Sequence, residues 1–145
     1  MIHLEPVTPD NWRLGLRVRE DQRRFVSDSA GILARAYAYR HSRSCALVIY
    51  DDDLPVGMAM YYDLDACRKY NFSQFFIDRR YQGRGYGFAA ASMLLQRMRD
   101  DGKYDRVCLC YIDGDDAAKG LYEKLGFCPT GETDGDEIVM EMTLR

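Results

Sequence analysis

Apolar positions along the chain follow two periods. Ile2 to Val7 can form a first strand, closed by Pro6 and the Thr-Pro-Asp-Asn that follows. Asp10 or Asn11 is placed to cap a helix carrying Trp12, Leu14, Leu16 and Val18. A second helical stretch holds Phe25, Val26, Ile32, Leu33, Ala36 and Tyr37, with an indistinct break at Ser27-Asp28-Ser29. Ser44 to Tyr50 reads as a strand, Asp51-Asp52-Asp53-Leu54-Pro55 as a turn, and Val56 to Tyr62 as the returning arm of a hairpin. Tyr70 to Ile77 then places Phe72, Gln74 and Phe76 on one face and Ser73, Phe75 and Ile77 on the other. Connections this short give antiparallel pairing.

The period changes after a run of glycines. Phe88, Ala91, Leu94, Leu95 and Met98 are spaced for a helix of about four turns, which Gly102 ends. Val107 to Ile112 is nearly unbroken apolar sequence, as in a strand covered on both faces, with Cys108 and Cys110 as small buried residues. Ala118, Leu121, Tyr122 and Leu125 mark a short helix from Asp115 to Leu125, with Gly126 as its C′ residue. Two last strands, around Phe127 to Glu132 and Ile138 to Leu144, flank the turn Asp134-Gly135-Asp136. The order is β-α-α-β-β-β-α-β-α-β-β. It describes an α/β (α+β) fold: a mixed, mainly antiparallel twisted sheet of about seven strands flanked by about four helices. The unit from Phe72 to Ile112 is expected to be parallel and right-handed. Residues 1–145 are expected to form one domain.

Composition narrows the partners. With 47% apolar residues the chain can bury one core, and a net charge of −3 gives no broad attraction for nucleic acid or an anionic membrane. No apolar run approaches the ~18 residues of a membrane-crossing helix. The opening Met-Ile-His-Leu-Glu-Pro lacks the pattern of a signal peptide, so a soluble cytoplasmic protein is expected. The five cysteines form no C-x-x-C pair and the only histidines are His3 and His41, so no metal site is expected.

Gln82-Gly83-Arg84-Gly85-Tyr86-Gly87 lies between a strand and a helix start. Its glycines let the backbone approach a ligand, and the helix adds unpaired N–H groups and the positive end of its dipole. Arg79, Arg80 and Arg84 make this the most basic short stretch, so an anion such as a pyrophosphate is the natural guest. A P-loop is excluded, because no Gly-Lys-Ser/Thr ending follows. Gly85-Tyr86-Gly87-Phe88-Ala89-Ala90 matches a dinucleotide pattern, but the polar stretch from Asp78 to Gln82 and the antiparallel strands before it fit that fold poorly. A plain tight turn is the remaining alternative.

Gln82-x-x-Gly85-x-Gly87 resembles the Q/R-x-x-G-x-G/A motif of the GNAT acetyltransferases. Asp115-Asp116-Ala117-Ala118-Lys119-Gly120-Leu121-Tyr122-Glu123-Lys124-Leu125-Gly126-Phe127 resembles their second signature, N-x-x-A-x-x-L-Y-x-x-x-G-F, with Asp115 in the place of the common asparagine. Asn11-Trp12, Glu20-x-Gln22-x-x-Phe25-Val26 and Phe76-Ile77-Asp78-x-x-Tyr81-Gln82-Gly83 are similar to the branch of bacterial spermine/spermidine or diamine acetyltransferases. The resemblance implies acetyl-CoA as cosubstrate and a primary amine of a small molecule as acceptor, a polyamine in that branch. It implies that the backbone of Phe76 and Ile77 pairs with pantetheine in a V-shaped opening between two strands. N–H groups from Gly83 to Phe88, those of Arg84, Gly85, Tyr86 and Gly87 among them, would hold the pyrophosphate, with Gln82 also at the cofactor. Asp115 and Ala118 would border the pantetheine arm.

Acetyl transfer by direct attack needs a neutral amine and a proton for the departing thiolate. Tyr122, aligned with the signature tyrosine, is the candidate general acid, against a plain core aromatic. Asp78 is the candidate general base, or else a cap for the turn it begins. Glu20 and Gln22 lie where an amine pocket can form, while Asp63 and Asp65 are weaker attractors for a polyamine. A CoA-binding sensor without turnover, and an acetyltransferase for proteins or peptides, stay open as alternatives, as does a homodimer.

Overall fold

The computed structural model describes residues 1–145. Seven strands form one sheet in the order β1-β2-β3-β4-β5-β7-β6. They are β1 (Ile2–Pro6), β2 (Cys45–Asp51), β3 (Leu54–Leu64), β4 (Lys69–Ile77), β5 (Arg106–Ile112), β6 (Cys128–Asp134) and β7 (Glu137–Thr143). Three α-helices accompany them: α1 (Ser29–Ala38), α2 (Tyr86–Asp101) and α3 (Asp116–Leu125). No helix is long and apolar enough to cross a membrane.

The apolar side chains divide between two layers. A larger cluster joins one sheet face to α2 and α3 through Ala91, Leu94, Met98, Leu109 and Tyr122. A smaller one joins the other face to α1 and the first loop through Ile32, Leu16, Val48, Met58 and Phe76. α2 and α3 end at the expected glycines, while α1 starts only after the Ser27-Asp28-Ser29 break and leaves Phe25 and Val26 outside it. Asp28 caps α1 by accepting the Gly31 N–H at 2.7 Å. Gly102 and Gly126 end α2 and α3 in the left-handed conformation.

All strand pairs are antiparallel except β4 with β5, which run parallel and pair only at Tyr70↔Val107 and Asn71↔Cys108. Beyond Asn71 the two strands separate, and the opening that results is the feature on which the site is built. The closed end is clamped by charge. Asp63, buried at the end of β3, accepts from Arg43 Nε at 2.6 Å and Lys103 Nζ at 2.8 Å. Arg43 also reaches Asp101 at the end of α2, and the Tyr70 hydroxyl donates to Asp101 at 2.6 Å. Asp63 and Asp65 are therefore engaged by Arg43 and Lys103 at the end of β3 remote from the opening, and are not attractors for a polyamine.

Three further expectations are corrected. The helix over Trp12 to Val18 does not form: residues 7–28 carry only a 3-10 turn at Glu20–Gln22, so the order is β-α-β-β-β-α-β-α-β-β. Leu14, Leu16 and Val18 recur every second residue, Gly15 sits at φ +72°, and Asn11 turns back to Pro6 and Thr8 instead of capping a helix. Only Leu16 of this segment is buried, while Trp12 and Leu14 are exposed. Second, Phe72 and Phe76 lie on opposite faces, because a bulge shifts the β3–β4 register: Tyr61 faces Phe72 and Met60 faces Gln74. Third, β5 is uncovered at Cys110, which is exposed, whereas Cys108 is buried.

The clamp gives a measurable prediction. Arg43→Ala leaves the buried Asp63 with Lys103 alone and is expected to lower stability by roughly 2–3 kcal/mol in urea unfolding. The guanidinium of Arg43 and the Tyr70 hydroxyl hold the Asp101 carboxyl well below the usual carboxylate range. That contribution is complete above the unfolded-state pKa of about 4 and is lost as pH falls toward the folded value. Stability measured from pH 6 downward should therefore decline less steeply in Arg43→Ala than in the unaltered protein.

Candidate active site

The separation of β4 and β5 opens a cleft of about 510 Å3, with Phe75, Phe76 and Ile77 on one wall and Asp115, Ala118, Leu121 and Tyr122 on the other. Gln82, Gly83, Gly85, Tyr86 and Gly87 form its floor. Gly83 and Gly85 have φ of +78° and +81°, so the turn needs glycine at both, and a Cβ at either would meet nothing within 4 Å. The N–H groups from Gly83 to Phe88 donate to no backbone or side-chain acceptor in the chain; the first bond of α2 is from Ala89 N to Gly85 O at 3.2 Å. Six successive free donors at a helix N-terminus form a cradle for a phosphate. An added Cβ at Gly87 would meet Leu121, Ile77 and Phe75 at 3.7 to 3.9 Å, so this position admits a methyl group and little more.

Gln82 joins the two sides of the site. Its amide donates to Ile77 O at 2.9 Å and to Gln22 Oε1 at 2.8 Å, tying the glycine turn to the end of β4 and to the first loop. The Tyr86 hydroxyl donates to Asp51 at 2.7 Å and fixes the start of α2 to the β2–β3 hairpin. Gly57 allows β3 to lie close beneath: a Cβ there would fall 2.3 Å from the carbonyl oxygen of Phe76.

The Tyr122 ring is buried edge-on against Phe72 and Phe127, with centroids 6.2 and 5.9 Å away. No fully buried side-chain polar atom lacks a partner, so the Tyr122 hydroxyl, unbonded within the chain, faces the cleft. Burial, and then the nearby Asp115 carboxylate, push its pKa above that of an ordinary phenol, so it keeps its proton. Asp115 caps α3 through the Ala118 N–H at 3.2 Å. Burial raises its carboxyl pKa, outweighing that hydrogen bond.

Asp78 lies outside the cleft lining and is buried. Its carboxylate accepts the Arg17 N–H at 2.9 Å, the Arg80 N–H at 3.0 Å and Arg80 Nε at 2.8 Å. Burial alone would raise its pKa, but these donors outweigh it and the net direction is down. A carboxylate so engaged is a tether and a weak base. Arg84 and Phe88 contribute their N–H groups while their side chains point elsewhere, Arg84 toward the Tyr81 ring and Phe88 beneath Lys124. Glu20 pairs with Arg23 and borders a neighbouring cleft.

The sequence assigned no place in the cleft to Phe75, Tyr81, Ala117 or Leu121, nor to Val18, Arg19, Phe25 and Val26 of the first loop, and marked Arg79 only as part of the basic stretch. Ala117 and Leu121 were readable, since they lie beside Ala118 and Tyr122 at helical spacing. Phe75 shares a face with Ile77 and reaches the cleft beside it.

The profile of the Acetyltransferase (GNAT) family matches residues 11–127. A spermine/spermidine N(1)-acetyltransferase of Bacillus subtilis (strain 168) is 31% identical over 150 aligned positions, covering 97% of each chain. The chain belongs to the GNAT acetyltransferase family. Its activity class is acetyl-CoA-dependent N-acetylation. Among solved structures, spermidine N-acetyltransferase from Vibrio cholerae in complex with CoA and spermine aligns with a TM-score of 0.78 at 16% identity, over 99% of this chain and 95% of that one. A GNAT family acetyltransferase from Elizabethkingia anophelis with acetyl-CoA bound aligns with a TM-score of 0.70 at 15% identity, over 98% and 97%. Both share the GNAT fold described above.

The glycine geometry separates two substitutions. Gly87→Ala should keep CoA affinity within about threefold and stabilise α2 by roughly 0.5–1 kcal/mol. Gly85→Ala should cost about 1–2 kcal/mol, because its φ is left-handed. Calorimetric titration with CoA and thermal unfolding distinguish these outcomes from equal effects at both glycines.

Proposed function

We propose that this GNAT protein moves the acetyl group of acetyl-CoA to the primary amine of a small molecule, by direct attack while both substrates are bound. The observation that carries the reading is the placement of the Tyr122 hydroxyl in the same cleft as the phosphate cradle from Gly83 to Phe88. Acetyl-CoA supplies the acetyl group as a thioester. The N–H cradle, the Arg84 N–H among its donors, would bind the phosphates, and the open edge of β4 at Phe76 and Ile77 would align the pantetheine chain. Gln82 holds the cradle against the end of β4. Tyr122 keeps its proton through the working pH range and gives it to the departing sulfur. Asp78 is a positioning residue: it fixes the backbone of Arg17 and Arg80, and so the shape of the turn. Asp115 takes the place of asparagine beside the pantetheine arm and caps α3.

The acceptor is less constrained than the reaction. The Bacillus subtilis relative supports a polyamine, and Gln22, lining the cleft beside Gln82, stands where an acceptor would enter. A panel of spermidine, spermine, putrescine, aminoglycosides and a lysine peptide, with products followed by mass spectrometry, tests that class directly.

Tyr122→Phe is the decisive variant. It removes the hydroxyl and keeps the ring between Phe72 and Phe127, so kcat should fall on the order of 10²-fold with CoA affinity little changed. The pH–rate profile of the unaltered protein should show no loss from Tyr122 ionisation below about pH 10. Full activity in Tyr122→Phe would end the general-acid assignment. A protein that binds CoA and acetylates nothing in the panel would support the sensor reading.

A further inference from the structure

A second cleft, of about 560 Å3, adjoins the first and shares Val18, Val26, Phe76 and Arg79 with it. It lies toward α1, away from the phosphate cradle, and its charged lining is Arg17, Glu20, Arg23, Asp28 and Arg79. Both carboxylates already have partners. Glu20 holds the Arg23 guanidinium at 3.2 Å, and Asp28 accepts the Gly31 N–H at 2.7 Å as the cap of α1. Arg17 and Arg79 differ from the rest. Their backbones run together, the Arg79 N–H donating to Arg17 O at 2.8 Å. Asp78, adjacent to both, is taken by the Arg17 N–H and by Arg80. The ion pairs of this region take Arg19, Arg23 and Arg80, and leave the guanidiniums of Arg17 and Arg79 free.

A guanidinium stays charged at any working pH and presents a planar fork suited to a carboxylate. The Glu20–Arg23 pair is neutral and the N–H on Asp28 leaves its charge in place, so the lining carries one net positive charge and two unpaired guanidiniums, those of Arg17 and Arg79. A pure polycation entering it would meet two unpaired guanidiniums against the one carboxylate of Asp28, itself engaged as the cap of α1. We infer that the second cleft is the acceptor pocket and that Arg17 and Arg79 take an anionic group of the acceptor, which is therefore an amine that also carries a carboxylate, as a diamino acid does. The inference rests on the acetyl-transfer reading and narrows its substrate. Arg79 lines both clefts, so a carboxylate held there leaves the rest of the molecule to extend past Phe76 toward the cleft of Tyr122.

The test uses ligand pairs that differ by one carboxylate: ornithine against putrescine, and lysine against cadaverine. Each is titrated calorimetrically into the intact protein saturated with CoA, and each is then assayed for turnover with acetyl-CoA. The expected result is at least about tenfold tighter binding of each amino acid than of its diamine, since one charge-assisted fork separates them. Arg17→Gln and Arg79→Gln should each bring that ratio toward one. Equal or tighter binding of the diamines would overturn the inference, whether or not they are acetylated. Variants that lose CoA affinity and keep the ligand preference would place the arginines on cofactor phosphates, and would overturn it too. A carboxylate preference without turnover would uphold the anion subsite and count against the acetyl-transfer reading, so the two can fail separately.

Discussion

The site depends on how little of β4 and β5 is joined. Parallel strands can share hydrogen bonds along their whole length, yet here only Tyr70 and Asn71 of β4 find partners in Val107 and Cys108. The remaining edge of β4 is left with backbone groups that need partners, and a parted sheet would normally admit water or close. Two features hold it open as it stands. The ion cluster of Asp63, Arg43, Lys103 and Asp101 fastens the paired end. The rings of Phe72, Tyr122 and Phe127 fill the angle where the strands diverge.

Recognition in the opening is divided between backbone and side chains. The phosphate cradle is made of N–H groups, so its chemistry depends on chain conformation at Gly83 and Gly85 more than on any side chain. The facing side of the opening is lined by side chains of the first loop, set by the Arg17 N–H on Asp78 and by Gln22 on Gln82. Asp78 and Gln82 belong to the turn that carries the cradle. Both sides of the cleft are thus shaped by one short segment, from Ile77 to Gly87.

What the sequence revealed follows the range of the interactions involved. α2, α3 and the glycine turn were legible because caps, glycines and apolar spacing act within a few residues. Phe76, Ile77, Gln82, Gly83, Gly85, Tyr86, Gly87, Asp115, Ala118 and Tyr122 all line the cleft, and Gln22 joins them. The rest depended on distant contacts. The bulge that puts Phe72 on the face opposite to Phe76 is fixed by the register against Met60 and Tyr61. The saturation of Asp78 needs Arg17, far away in sequence. The first loop deceived because Leu16 and Val18, spaced by two, pack on the sheet from an irregular segment, while Trp12 and Leu14 stay exposed.

The irregular course of residues 7–28 has a consequence for how this scaffold can change. Apart from Leu16, a few side-chain anchors fix it: Asn11 to Pro6, Arg17 to Asp78, and Gln22 to Gln82. Between those anchors no helical or strand register constrains the sequence, so residues can be exchanged, or their number altered, without propagating a shift into the sheet. One side of the cleft is thus tolerant of change in its side chains, while the glycine turn opposite is fixed by backbone geometry.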